Sequence, residues 1–284
     1  VVEMTSLQGV MGRYYALNSG ESQAVADAIY EHYLPRFAGD ETPRTLPGLL
    51  VGVADRLDSL AGLFAAGLAP TGNKDPFAQR RAALGLVQNL IIWQLDFDLR
   101  PALNLAAAQL PIPAAQESKS AALTFILERL RNTFLEQGWR YDVVDAVLAA
   151  QGTNPARAAQ AVKELSEWVA RPDWNTILPA YARCVRITRD LEQIYPVFPE
   201  RFIEAAEKQL YSALRASQAT PRRPGSVQDF LQAFLPMIPA INTFFDQVLV
   251  MTEDEDLRNN RLGLLQNIAA LADGVAEMSR LEGF

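Results

Sequence analysis

Cysteine and histidine are nearly absent from this chain: Cys184 and His32 stand alone among 284 residues. One cysteine excludes an intrachain disulfide, and one histidine beside it excludes a zinc site built from the two types. A reducing compartment, the cytoplasm, is the expected setting. Cys184 falls in an apolar helical pattern and reads as a small core residue. Any Ser/His/Asp or Cys/His hydrolytic site would have to use His32, which sits in EHYLP at a helix end beside two aromatics and reads as a capping or packing side chain. No GxxxxGK[ST] loop and no GxGxxG after a strand occurs, so no glycine loop for cradling phosphate is predicted. No apolar run reaches the roughly 18–20 residues of a membrane span. The longest candidate, LPGLLVGVADRLDSLAGLFAAGL, is interrupted by Asp55, Arg56 and Asp58 and reads as a buried helix. An initiating Met and a signal peptide are also lacking, and Val1 reads as a cut end, so the expectation is a part of something longer.

A positive charge balance is missing too. The formal net charge is -7, so no global field gathers nucleic acid, and a polyanionic partner must be held by local arginine clusters. What is present is enough apolar material to fold: 49% hydrophobic and 21% charged residues exclude wholesale disorder.

Helical periodicity runs through the chain and no alternating strand pattern persists, which predicts an all-α protein of two helical bundles. Helices are predicted at 21–34, ended by Pro35, and at 49–68, apolar nearly all round and therefore central. In PTGNKDPFAQRRAALG, Gly72-Asn73 makes a turn, Asp75 caps, Pro76 occupies the first helical position and a helix runs to about Leu95. Pro101, Pro111 and Pro113 break an alanine-rich stretch, placing a domain boundary near Pro113, with domains 1–112 and 113–284. Further helices are predicted at about 118–137, 141–150, 155–169, 176–195 and 199–216. Capping boxes at Ser226/Asp229 and Thr252/Glu255 start later ones, the last spanning about 253–281.

The charged residues divide by helical face. Arg80 falls in the apolar stripe of Phe77, Leu84, Val87 and Ile91, so it needs a carboxylate, with Asp55 or Asp58 of the preceding helix as candidates. Arg81 and Lys74 are then free for an external anion. Arg261 likewise occupies an apolar slot, with Asp246 as its candidate partner and Arg258 nearer the surface. Arg183, Arg186 and Arg189 recur every three positions opposite a stripe that contains Cys184. Such a row is either a solvated face or a patch that phosphates select. Asp55, as a metal ligand, lacks His-Asp companions, and structural pairing is the favoured reading.

LQGVMGRYYA, EHYLPRF, ADRLDSLAGLF, PTGNKDPFAQRRAALG and NTFFDQVLVMTEDEDLRNNRLGLL together resemble the C-terminal part of the bacterial glycyl-tRNA synthetase β subunit. The resemblance implies a degenerate HD-like helical domain at about 1–112 and an anticodon-binding helical domain at about 113–284. It also implies an α2β2 enzyme, or a fused αβ chain, whose α part activates glycine with ATP and Mg²⁺. This stretch would then carry no catalytic group and hold no cofactor or metal. Its partners would be tRNA(Gly) and the α subunit, and neither DNA nor a membrane. Asp55 matches the last acidic position of the HD pattern, yet no His-Asp dyad accompanies it, so phosphohydrolase activity is not implied. Lys74, Arg80, Arg81, Arg183, Arg186, Arg189 and Arg258 are the candidate tRNA contacts, with Tyr181 or Trp174 as base-stacking aromatics. The alternatives are a non-catalytic helical scaffold whose arginines make only internal ion pairs and, further off, a metal-dependent phosphohydrolase using Asp55.

Overall fold

The computed structural model describes residues 4–37, 39–72 and 74–284; Asn73, half of the expected turn, lies outside them. The described residues form helices and turns and no β-strand, apart from an isolated bridge between Thr71 and Lys74. They divide into two compact units.

One unit holds the described residues up to Gln137 together with Gly152–Arg157. Its helices are α1 (Val10–Asn18), α2 (Gln23–Glu31), α3 (Leu46–Ala65), α4 (Gln79–Ile92), α5 (Leu99–Gln109) and α6 (Gln116–Glu136). Helix α3 is the hub, packed against α2, α4, α5 and α6, as its broad apolar surface predicts. Leu49, Leu57 and Leu60 of α3 are buried with Leu86 and Leu90 of α4, Leu103 of α5 and Ile126 and Leu130 of α6. Thr45 caps α3 by accepting from Gly48 N (3.2 Å), and Thr45 N and Oγ1 both donate to Glu31 (2.9 and 2.6 Å). A carboxylate from the last turn of α2 therefore lies at the positive end of α3.

Two expectations change here. The alanine-rich stretch read as a break is helix α5, because Asp98 caps it at Arg100 N (2.9 Å) and Pro101 falls in the first turn, where no N–H is required. Helix α6 packs on α3, α4 and α5, so this unit continues past Pro113 to Gln137. Asp75 does cap α4, accepting from Gln79 N (2.8 Å) and Arg80 N (2.9 Å), but Ala78 is left-handed at φ 54° and the helix starts at Gln79 rather than Pro76.

The other unit holds Gly138–Gln151 and Ala158–Phe284. It contains α7 (Tyr141–Gln151), most of α8 (Pro155–Val169), α9 (Trp174–Thr188), α10 (Ala205–Ala219), α11 (Val227–Phe234), α12 (Ile238–Gln247) and α13 (Glu255–Ala269). Helix α13 packs on α9 and α10 on α12. The core gathers Val144, Leu165, Ile177, Cys184, Leu210, Phe230, Phe234, Phe244 and Leu264. Cys184 is fully buried, as its pattern predicts, and burial pushes its thiol up to about 12, which removes it from nucleophilic chemistry at neutral pH. The expected 253–281 helix is shorter: Asp254 rather than Thr252 caps it, accepting from Leu257 N (3.0 Å), and short turns at Ala270–Ala272 and Met278–Arg280 finish the chain. Ser226 caps α11 at Asp229 N (3.2 Å), while the Asp229 carboxylate turns to Arg223 instead of closing the box.

Arg261 is buried, as predicted, but its partner is Glu207 (2.6 Å), also buried, and not Asp246, which is exposed on α12. Glu207 sits in the first turn of α10, where its other oxygen accepts from Ile203 N and Glu204 N (2.9 and 2.7 Å). Arg261 also donates to Leu249 O (2.8 Å). One pair thus ties α13, the start of α10 and the loop after α12. Removing either partner leaves the other charged and unsolvated, so Arg261→Ala and Glu207→Ala are each expected to lower unfolding free energy by roughly 3–5 kcal/mol. The double variant should lose less than the sum, as read by urea denaturation.

Candidate functional site

The buried cation of the first unit is Arg56, on α3, and not Arg80. Its guanidinium donates to His32 O (2.8 Å), Gly52 O (2.9 Å), Tyr33 O (3.1 Å) and Leu34 O (2.9 Å) and has no carboxylate bonded to it. His32 is the C-cap of α2, so the carbonyls that receive the cation include the negative end of that helix. Burial pulls the guanidinium's pKa below its usual value, against the opposing charge of Asp55. Arginine nevertheless stays protonated at neutral pH. Space for it comes from two glycines: a Cβ on Gly52 would stand 2.9 Å from Nη1, and one on Gly85 would stand 2.8 Å from Nε. Asn89 reinforces the loop by donating to Leu34 O (3.0 Å).

A cavity of about 250 Å³ opens beside this loop, lined by Gln8, His32, Arg36, Asp55, Arg56 and Arg81 among others. His32 packs its ring on Tyr33 (3.8 Å between centroids) and, with Nδ1 protonated, donates to Ala28 O (3.2 Å), in keeping with a packing role. Arg36 grips Asp40 (2.8 Å) and holds that carboxyl down at about 2. Asp55 lines the cavity and is exposed. Among the described residues no group of three or more His, Cys, Asp or Glu side chains is arranged to hold a metal ion.

The remaining candidates separate as follows. Arg80 is partly exposed, donates to Gly72 O and lies 3.9 Å from Asp75; neither Asp55 nor Asp58, both exposed, is paired with it. The predicted Arg80 ion pair is therefore replaced by contacts to its own turn, because α4 begins at Gln79 and it is Gln79, not Arg80, that turns inward. Arg81 and Lys74 are exposed and have no carboxylate partner among the described residues.

In the second unit, Arg183 lies 4.6 Å from the centroid of Phe245 and 3.9 Å from Asp246, with Asn242 at 3.4 Å. Arg186, one turn along α9, lies 5.6 Å from the Phe284 ring and has no carboxylate partner among the described residues. Arg189 meets Asp190 (3.5 Å), and Arg258 meets Thr252 O (3.4 Å) and Glu255 (4.0 Å). Tyr181 and Trp174 are core residues, not stacking platforms: Tyr181 donates to Ala269 O (2.7 Å) and is edge-on to Phe230 and Phe234. The half-buried rings beside the outer arginines are Phe245 and Phe284. Sequence reasoning missed them, since the fold alone brings them to α9.

A sequence model of the family described as glycyl-tRNA synthetase beta subunit matches residues 1–149. The chain belongs to the glycyl-tRNA synthetase beta subunit family. Similarity to individual relatives extends over nearly the whole chain. It is 41% identical over 293 residues to the glycine–tRNA ligase beta subunit of Moorella thermoacetica, covering 99% of this chain and 42% of that protein. It is 39% identical over 287 residues to that of a Janthinobacterium species, covering 99% and 41%. To the chloroplastic/mitochondrial glycine–tRNA ligase 2 of Arabidopsis thaliana it is 36% identical over 286 residues, covering 100% of this chain and 27% of the relative. The chain thus spans less than half the length of these relatives. The stretch matching the glycyl-tRNA synthetase beta subunit model contains Arg56, its carbonyl cage and Arg81, while Arg183 and Arg186 lie in the part shared with the full-coverage relatives.

Two stability outcomes follow from this geometry. Arg56→Met removes the donor that the caging carbonyls share, although Leu34 O keeps Asn89 and Gly52 O its helical N–H, and is expected to lose about 1–3 kcal/mol by urea denaturation. Arg80→Ala, a half-exposed pair, should change stability by no more than about 1 kcal/mol. Asp40 gives a pH signature. Its folded pKa lies below the unfolded value near 3.9, so its contribution is full above that value and fades as pH falls through about 2. Asp40→Asn should flatten the acid limb of a melting-temperature profile over that range while lowering the neutral plateau.

Proposed function

We propose that this chain is the tRNA-recognition part of a glycyl-tRNA synthetase β subunit, or of the β region of a fused αβ chain. It serves the ATP-dependent attachment of glycine to tRNA(Gly), with ATP and Mg²⁺ on the α part and no catalytic group or cofactor on this stretch. The complete assembly in this reading is α2β2 and works in the cytoplasm. The first compact unit is the HD-like domain, without a metal centre, and the second is the anticodon-binding bundle. The relatives are named as glycine–tRNA ligases, which supports the reaction class.

The observation that carries the RNA role is the outer face of α9. Arg183 on Phe245 and Arg186 on Phe284 are two cation–ring stacks one turn apart. A guanidinium resting on a ring presents donors to phosphate while the ring and the planar cation offer flat surfaces to unstacked bases. An acidic chain with such a face selects RNA locally, without a basic field over its whole surface. Lys74, Arg80 and Arg81 serve the acceptor side. Arg183, Arg189 and Arg258 each have a carboxylate within 4.0 Å, which leaves Arg186 the least neutralised of the four. That pairing is also what a purely structural scaffold would have, so the scaffold is the reading to test against.

Titration of the chain with tRNA(Gly) and a non-cognate tRNA at several salt concentrations should show tighter binding of tRNA(Gly). Arg186→Gln should weaken it and reduce the salt slope by about one, with melting temperature unchanged. A scaffold gives no tRNA-dependent signal, and equal binding of both RNAs removes the recognition role.

A further inference from the structure

A second cavity of the first unit, about 320 Å³, is lined by Arg80, Arg81 and Arg129 together with Asn132, Phe37 and a single carboxylate, Glu136. Three guanidiniums therefore face one opening in a chain whose formal net charge is -7, and Arg81 also lines the first cavity. Their bonding within the protein is incomplete. Arg129 reaches only Glu128, at 3.5 Å, beyond a good charge-assisted hydrogen bond, and lies 5.3 Å from the centroid of Phe125. Its Nε is enclosed and finds no hydrogen-bond partner among the described residues. Arg81 has no carboxylate partner among them either. Arg80 is engaged by Gly72 O and Asp75 and sets the wall rather than the grip. The backbone amides at the start of α4 are already taken by Asp75, so guanidiniums and not the helix end supply the positive charge.

Phe37 adds an aromatic surface that is 59% exposed, and Asn132 an exposed amide. The Arg81 guanidinium, the incompletely bonded Arg129, one amide and one open ring form a set of contacts that suits a phosphate with an attached nucleoside. The cavity is also of the size, upwards of about 300 Å³, that small-ligand sites have. We propose that this cavity is a phosphate socket, in which Arg81 and Arg129 hold one phosphate group of an RNA backbone or of a free nucleotide, with the adjoining base against Phe37. In its RNA form this deepens the tRNA reading by adding Arg129 and Asn132 of α6 to the first unit's contacts, and it rests on that reading; in its free-nucleotide form it does not.

The test uses the whole chain with two probes, a short single-stranded RNA oligonucleotide and adenosine monophosphate, followed by calorimetry. Arg129→Gln should weaken the bound probe about tenfold, the worth of a charge-assisted hydrogen bond. Asn132→Asp, which alters an exposed side chain and places a carboxylate in the opening, should weaken it as well. Glu136→Gln removes the repelling charge and should strengthen binding about threefold. Arg100→Gln, an exposed arginine outside the cavity, should change nothing. A response of the RNA alone identifies a backbone phosphate as the occupant, and a response of the mononucleotide identifies a free one. Binding of neither probe, or equal responses from Arg100→Gln and the cavity variants, overturns the socket. Discrimination of tRNA(Gly) that persists while the cavity variants are silent sinks the socket alone; nucleotide binding that tracks the variants without any tRNA preference sinks only the tRNA reading.

Discussion

A guanidinium taken out of water must be met by fixed acceptors, and each unit of this molecule is built around one. Arg261 is met by a carboxylate that is already the cap of another helix, so a single Glu207 neutralises the cation and closes the first turn of α10. Among the described residues Arg56 is met by carbonyls, four at 2.8–3.1 Å and Pro35 O at 3.4 Å, drawn from one turn of α3 and the loop that leaves α2. The second arrangement is the more demanding. A carboxylate can adjust its side chain to a cation, whereas a cage of backbone carbonyls works only if the loop keeps its path. That explains why Asn89 holds Leu34 O from another helix and why Gly52 and Gly85 leave the space empty. Buried charge here specifies the loop's course more than it adds stability, since an ion pair or cage gains little over a well-packed apolar replacement.

The same constraint explains which arginines remain outward. Helix α9 has its apolar side filled by Ile177, Cys184 and Thr188, so Arg183, Arg186 and Arg189 have nowhere to go but solvent. Their fates differ through neighbours from other elements. Arg189 has Asp190 beside it, Arg183 meets the Phe245 ring with Asp246 at 3.9 Å, and Arg186 meets the Phe284 ring with no carboxylate partner among the described residues. Contact with a ring leaves a cation's charge intact and restricts its rotamers, which lowers the entropy lost when a phosphate later fixes it. A carboxylate neighbour does the opposite and cancels the field that would attract the anion.

Helix type and most helix positions were legible in the sequence because apolar spacing and caps such as Ser226 are local. Asp254 was passed over for Thr252, one step of the kind that cap assignment cannot resolve when three polar residues precede a helix. The sorting of arginines into buried and outward sets was also legible as a principle, and Arg261 was placed correctly by its slot. Its partner was not, because Glu207 reads as an ordinary cap residue far away in the chain. Arg80 was misplaced for a backbone reason: the left-handed Ala78 delays α4, so Phe77, counted in its apolar stripe, is not in the helix at all and is exposed. Arg56 escaped notice because its partners are carbonyls, and carbonyls carry no sequence signature. Only the space left at Gly52 and Gly85 marks its place, and a glycine does not say which side chain will fill that space.

Seen from these charges, the candidate surfaces of the two units differ in kind. On α9 the arginines stand on rings and face outward, an arrangement suited to bases that have left their stack. In the α4–α6 cavity of the first unit they converge, with Glu136 the one carboxylate in the lining and Arg129 Nε without a partner among the described residues, an arrangement suited to a single phosphate. A protein that is acidic overall cannot rely on long-range attraction, because its mean field is repulsive to a polyanion and is screened out beyond about 8–10 Å. Contact must therefore be made by sites that deliver their hydrogen bonds at short range, and both a convergent pocket and a ring-backed arginine do so. The negative net charge and the local cationic sites are then compatible: a repulsive mean field disfavours indiscriminate contact with polyanions, and only a ligand that fits the short-range geometry would overcome it.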